Sequence, residues 1–170
     1  MADTYSDAIV KLMADHDKVE SLFDKAEKAG PEETRKIGVQ VCNLVKIHMA
    51  LEEEFLYPAL RGKADDEDKL TEGLVEHDSG KVLINDLLSG DNDDDTFGPK
   101  LQVLGEQMEH HHKEEEENGK GVFDQARKAG LDLVAMLEQM EAREAELKAE
   151  LAAHELPDAE TLYVDAGKTS

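Results

Sequence analysis

Tryptophan is absent, phenylalanine and tyrosine are scarce, and Cys42 is the only cysteine of the 170 residues. One thiol excludes an intrachain disulfide and any zinc or iron–sulfur site built from several cysteines. Basic residues are too few to balance the acidic ones. The net charge of −22 therefore argues against nucleic acid and against an anionic membrane surface as partners. No stretch approaches the roughly 18 apolar residues that would cross a bilayer. The opening "MADTYSDAIVKLM" lacks the basic start and apolar centre of a signal peptide. A cytoplasmic protein is the expectation.

What is present favours long helices: Glu, Lys, Leu and Ala dominate, and only four prolines interrupt. Ser6 or Asp7 can open a first helix carrying Ile9, Leu12, Met13, Val19, Phe23 and Ala26 at three-and-four spacing, and "AGP" at 29–31 ends it. Pro31 suits the first turn of a second helix that runs to about Leu60, with Pro58 bending or ending it. A third helix follows "KADDED" and stops at Ser89-Gly90. "DNDDDTFGP" reads as a solvated acidic loop, with a fourth helix starting near Pro99. "NGKG" at 118–121 interrupts that helix. A fifth runs from Leu131 to about Ala153 with Val134, Leu137 and Leu151 as its apolar positions, and the tail after Pro157 looks frayed. Short connections between four main helices predict an all-α fold, an up-down-up-down antiparallel four-helix bundle with an additional C-terminal helix. Residues 1–130 would form the bundle, and 131–170 the C-terminal helix and a flexible tail.

Histidines break the apolar pattern in a regular way. "HMALEEEFLYP" (48–58) continues the stripe of Ile37, Val41, Leu44 and Val45, so His48 and Glu52 point inward one turn apart. His16 follows Leu12 and Met13 on the first helix, and His77 follows Leu74 on the third. On the fourth, His111 follows Met108, with Glu115 one turn later. His112 with Glu116 is the alternative register, while His110 with Glu114 should face solvent. At ~1.5 Å per residue, His16 lies ~21 Å before the turn at Gly30 and His48 ~24 Å after Glu32. His77 and His111 each lie ~18 Å from the second turn. All four rings should meet at one level. The chain is a rough duplicate there: a histidine, then His-x-x-x-Glu some thirty residues on, twice over.

Two carboxylates and four imidazoles buried together would cost several kcal/mol or more without partners. A pair of cations removes that cost by taking the lone pairs. His16 and His48 would hold one ion, His77 and His111 the other, with Glu52 and Glu115 bridging; mixed nitrogen and oxygen donors suit iron, with manganese or zinc as lesser options. Ferritin-like sites need two Glu-x-x-His pairs, and only Glu109-x-x-His112 has that spacing. A His-Glu-x-x-His zinc helix is absent.

"ADHDKVESLF" (14–23), "HMALEEEFLYP" (48–58), "EHDSGKVLI" (76–84) and "HHHKEEEE" (110–117), in that order and spacing, resemble the signatures of hemerythrin-like HHE-domain proteins of bacterial type. The resemblance implies two non-haem iron ions, oxo- or hydroxo-bridged, that bind dioxygen, peroxide or nitric oxide at an open iron position. Oxygen or redox sensing and peroxide handling are then the expected roles, and catalase-, peroxidase- or nitric-oxide-reducing chemistry the enzymatic version. Iron storage or plain reversible oxygen binding is the alternative. Oxygen carriers of the family place a fifth histidine where this chain has Lys81, a poor ligand expected to swing outward. One iron should then carry fewer protein donors, which favours chemistry over carriage. "NGKG" is the second departure: twelve steps separate His111 from Phe123, against nine from His48 to Tyr57.

Other candidates have plainer readings. Glu20 is a boundary residue within reach of a metal, and Tyr57 fills the core near the bundle end, with a phenol oxygen that could complete a deficient iron. Cys42 and the methionines are packing residues, and His154 belongs to the surface.

Overall fold

The computed structural model describes residues 4–165 and 167, and within these the chain is all-helical. Helix α1 (Ala8–Glu27) starts where Asp7 accepts the Val10 amide at 3.0 Å, satisfying one of the free donors of a helix start. Helix α2 (Pro31–Leu51) begins on proline and runs without a break into a π-helical turn (Glu52–Leu56) and the short α3 (Tyr57–Leu60). Pro58 lies one residue into α3 and has no amide to give to the carbonyl four residues back. The wider π turn just before it absorbs the mismatch, with the Tyr57 amide bonded to the Glu52 carbonyl.

Helix α4 (Glu67–Leu88) is capped by Asp66, and α5 (Asp94–Glu115) by Asp93, whose carboxylate accepts the Thr96 amide at 3.0 Å. The fourth main helix thus begins five residues before Pro99, which lies inside it. The acidic run expected to be loop is the helix start: Asp93 caps it, and Asp94 and Asp95 face the positive end of the helix dipole. "NGKG" does end α5. A side chain at Gly121 would collide with the Glu114 and Glu115 carbonyls, so only glycine lets the chain fold back that closely. Helices α6 (Val122–Lys128) and α7 (Leu133–Ala153) complete the set.

α1 packs on α2 and α5, and α4 packs on α2 and α5, closing these four helices into a ring. α7 lies along α1, α2 and the π turn. Its buried residues are Leu133, Met136, Leu137, Met140 and Leu147; Val134, read as an inward position, is 57% exposed. Met13 likewise faces outward. Beyond α7 the tail does not stand free. Asn85 exchanges two hydrogen bonds with the Ala159 backbone, and the Asp78 carboxylate accepts the amides of Leu162, Tyr163 and Val164 at 2.6–2.9 Å. Residues 166 and 168–170 lie outside the described part.

The apolar interior is split. One cluster gathers Leu12, Leu51, Leu56, Tyr57, Leu70 and Phe123 with the inner face of α7. The other gathers Val19, Val41, Val45, Ile84, Leu104 and Met108. Between them lies a polar layer.

Candidate metal centre

All six residues expected at the centre are buried in this layer: His16 on α1, His48 on α2, Glu52 in the π turn, His77 on α4, and His111 and Glu115 on α5. Three- and four-residue spacing brings each onto the inner face of its helix. The Nε2 atoms of His16 and His48 stand 3.1 Å apart, and those of His77 and His111 2.9 Å apart. Two nitrogens each ~2.1 Å from one ion, at about a right angle, would stand ~3 Å apart. Glu52 spans the two pairs, with one oxygen 3.1 Å from His48 Nε2 and the other 3.2 Å from His77 Nε2. Glu115 does the same between His16 (3.3 Å) and His111 (3.4 Å).

The far side of every ring is held by a second carboxylate. Nδ1 of His16 donates to Glu116 at 2.6 Å and that of His111 to Glu76 at 2.6 Å. Nδ1 of His77 donates to Glu53 at 3.0 Å and that of His48 to Asp15 at 3.3 Å. A proton fixed on Nδ1 leaves Nε2 as the free donor and raises its basicity, the usual outer support of a metal-bound imidazole. Each supporting carboxylate is the chain neighbour of a central residue: Asp15 precedes His16 as Glu76 precedes His77, and Glu53 follows Glu52 as Glu116 follows Glu115. The duplication noticed in the sequence is therefore a spatial one, relating α1 to α4 and α2 to α5.

Three of the central rings are drawn towards their protonated form by the carboxylates beside them. Burial opposes charge on His48, but Glu52 and Asp15 outweigh it and carry the ring up to about 10. Burial also opposes charge on His111 and His16, and Glu115 with the outer carboxylates raises both. Glu115, despite its burial, is held well below the usual carboxylate range by His111 and His16. These ion pairs leave hydrogen bonding incomplete: both oxygens of Glu52 and Oε2 of Glu115 have no hydrogen-bond partner. Buried carboxylate oxygens without donors are rare and costly, and a cation between them is the chemical remedy. The residues fit bound metal.

Four features escaped the sequence reading. Tyr57 is more than core filling, since its hydroxyl donates to Glu115 Oε1 at 2.7 Å. Lys81 does not swing outward; it is buried, 2.7 Å from Glu53 Oε1, and it donates to the Glu160 carbonyl of the tail at 2.9 Å. Asp15 is braced in turn by buried Lys11, which also reaches Glu144 of α7. His112, weighed only as an alternative to His111, is buried beside it, whereas its partner in that register, Glu116, is a third exposed and serves His16 from outside. The outer carboxylates sit one residue off the apolar stripe, where an acid reads as solvated surface. Glu20 sits at the boundary, 3.6 Å from His112 Nδ1, and His110 and His154 are exposed. Cys42 is a buried packing residue whose thiol burial pushes up to about 12. No helix of the described residues is long and apolar enough to cross a membrane.

A family model described as the hemerythrin HHE cation-binding domain matches residues 7–120. No curated protein matches the chain, and no solved structure does. Because the family match runs through α1, α2, α4 and α5 and takes in every residue of the polar layer, the chain belongs to the hemerythrin family of HHE cation-binding domains, and metal binding is its implied property.

Proposed function

We propose that the protein is a di-iron member of its family that binds dioxygen, peroxide or nitric oxide at an iron position the protein leaves open. The fold beneath this reading is an up-down-up-down antiparallel bundle of α1, α2, α4 and α5 within residues 1–130, with residues 131–170 as an added helix and tail. The carrying observation is the pair of glutamates whose donorless oxygens lie between four imidazole nitrogens in a layer sealed above and below by apolar residues. His16 and His48 would hold one iron, His77 and His111 the other, with Glu52 and Glu115 shared. Iron bound there supplies a change of oxidation state and an exchangeable coordination position. The chain's own part is to fix the rings through Asp15, Glu53, Glu76 and Glu116, and to exclude bulk water.

Lys81 favours redox chemistry over reversible carriage. It takes the place of the carriers' fifth histidine, and its ammonium is engaged by Glu53 and the Glu160 carbonyl, so it adds no donor to the metal. The test begins with metal analysis and an ultraviolet–visible spectrum of purified protein, with two irons per chain expected. Protein reduced to the ferrous state without air and then exposed to it should oxidise within minutes. Colour that instead persists and reverses under vacuum would establish carriage. Oxygen release from added peroxide should vanish in His48→Ala and Glu115→Ala; activity surviving both would place the chemistry elsewhere.

A further inference from the structure

A groove between α1 and α5 is acidic along its length. It encloses about 470 Å³ over a floor that includes Phe23 and Leu101. Glu20, Asp24, Glu27, Glu106 and Glu109 line it, and no lysine or arginine is among the described lining residues. Of these acids only Glu109 is paired with a basic side chain, Lys113. Carboxylates alone describe a solvated face. Here, however, Glu20 meets a buried imidazole. His112 is 2% exposed, and its Nδ1 has no hydrogen-bond partner, the only buried imidazole nitrogen so left among the described residues. That nitrogen faces Glu20 Oε1 at 3.6 Å, beyond hydrogen-bond reach.

We infer that Glu20 and Nδ1 of His112 form a transit site, separate from the centre, through which divalent cations pass from this groove to the polar layer. The inference rests on the metal-binding reading above. Two donors each ~2.1 Å from one ion and about 120° apart around it stand ~3.6 Å from each other, the separation seen here. In each of the four central rings a carboxylate fixes the proton on Nδ1. No carboxylate does so for His112, and the lone pair there is open to a cation. Two donors, one of them a half-exposed glutamate, make a weaker site than the two imidazoles and two glutamates that converge in each half of the centre. An ion is therefore passed inward rather than kept. The step is short. The His112 ring lies on His16 with centroids 3.7 Å apart, and donor atoms of His112, His16 and His48 all lie within 4.8 Å of one another. A second cavity, of about 860 Å³, also reaches the layer, at His48, but there Lys11, Lys18 and Lys148 offset the acids and discourage a cation.

The test is the rate of cobalt(II) uptake by the full-length protein after chelation, followed by absorbance in a stopped-flow mixer. Glu20→Gln should slow both uptake and chelator-driven release about tenfold, with the number of bound ions and their affinity unchanged. Glu138→Gln, which removes an exposed acid of α7 instead, should alter neither rate. His112→Leu should slow both rates as Glu20→Gln does, and combining the two changes should slow them no further. Rates in Glu20→Gln equal to those of the parent would overturn the transit site while leaving metal binding intact, and this variant alters only a half-exposed side chain. Weaker binding in Glu20→Gln with an unchanged uptake rate would overturn it as well, because Glu20 would then be a ligand of the centre. A parent protein that takes up neither cobalt nor iron would overturn the metal-binding reading and this inference together.

Discussion

The contact between Tyr57 and Glu115 gives a sharp energetic test. The phenol donates to a buried carboxylate at 2.7 Å, and a hydrogen bond to a charged group contributes about 1.5–3 kcal/mol. Tyr57→Phe removes only the oxygen, so little cavity is left, and Glu115 Oε1 keeps His111 Nε2 at 3.4 Å. A loss of about 2 kcal/mol is expected in metal-free protein, or about 4–8 °C in melting temperature for a chain of this size. Gly73 supplies the control. A methyl group there would land on the phenol oxygen, with ring carbons at 3.2 and 3.3 Å, so Gly73→Ala must push the hydroxyl off Glu115. Against that loss stands a gain of up to about 1 kcal/mol for alanine over glycine inside a helix. In the Tyr57→Phe background the colliding atom is gone, and Gly73→Ala should cost at least about 1 kcal/mol less than in the parent. Urea unfolding of the four proteins, parent, two singles and double, measures that difference directly. Single costs that add within about 0.5 kcal/mol would refute the idea that the two positions meet through one oxygen.

Three further outcomes are expected. In the metal-free protein His48 is raised from 6.5 to about 10, so its stabilising contribution is complete below pH 6.5 and disappears as pH climbs through about 10. Melting temperature should fall across that window, and His48→Gln should flatten the profile. Saturation with metal at about 100 times each dissociation constant should add about 2.7 kcal/mol per site, a rise of about 10–20 °C in all that a chelator reverses. Asp78→Asn should speed amide exchange at Leu162, Tyr163 and Val164 by about 100-fold, because three charge-assisted bonds anchor those residues. Unchanged exchange would mean the tail is held by something else.

The six central residues were legible because each helix carries a clean three-and-four rhythm, and a polar residue in the apolar stripe stands out from it. His48 and Glu52, or His111 and Glu115, announce themselves in this way. The outer carboxylates did not: Asp15, Glu53, Glu76 and Glu116 are one residue off the stripe, about 100° around the helix, where any acid reads as solvated surface. Only the pairing of helices reveals that each faces a neighbour's imidazole. His112 was hidden for the same reason. One of two adjacent histidines had to be chosen on the helix wheel, yet α5 is flanked by α1 and α4 and buries both. Lys81 and the tail left no pattern, because Asp78 accepts from backbone groups some eighty residues away and Lys81 is shared between Glu53 and one such carbonyl.

The wide turn at Glu52–Leu56 amounts to a spare residue stored in the helix. It resets the phase of everything downstream, so that Tyr57 arrives under Glu115 rather than a third of the way around the axis. The equivalent point in α5 is handled differently, by ending the rod and crossing a glycine loop before Phe123 comes to rest against His16. Shortening the chain by one residue between 53 and 56 would restore an ordinary helix and keep the upstream donors in place, while swinging the phenol away by about 100°. The two halves have thus spent their freedom at the same height in unlike ways, and only one of them delivers a hydroxyl.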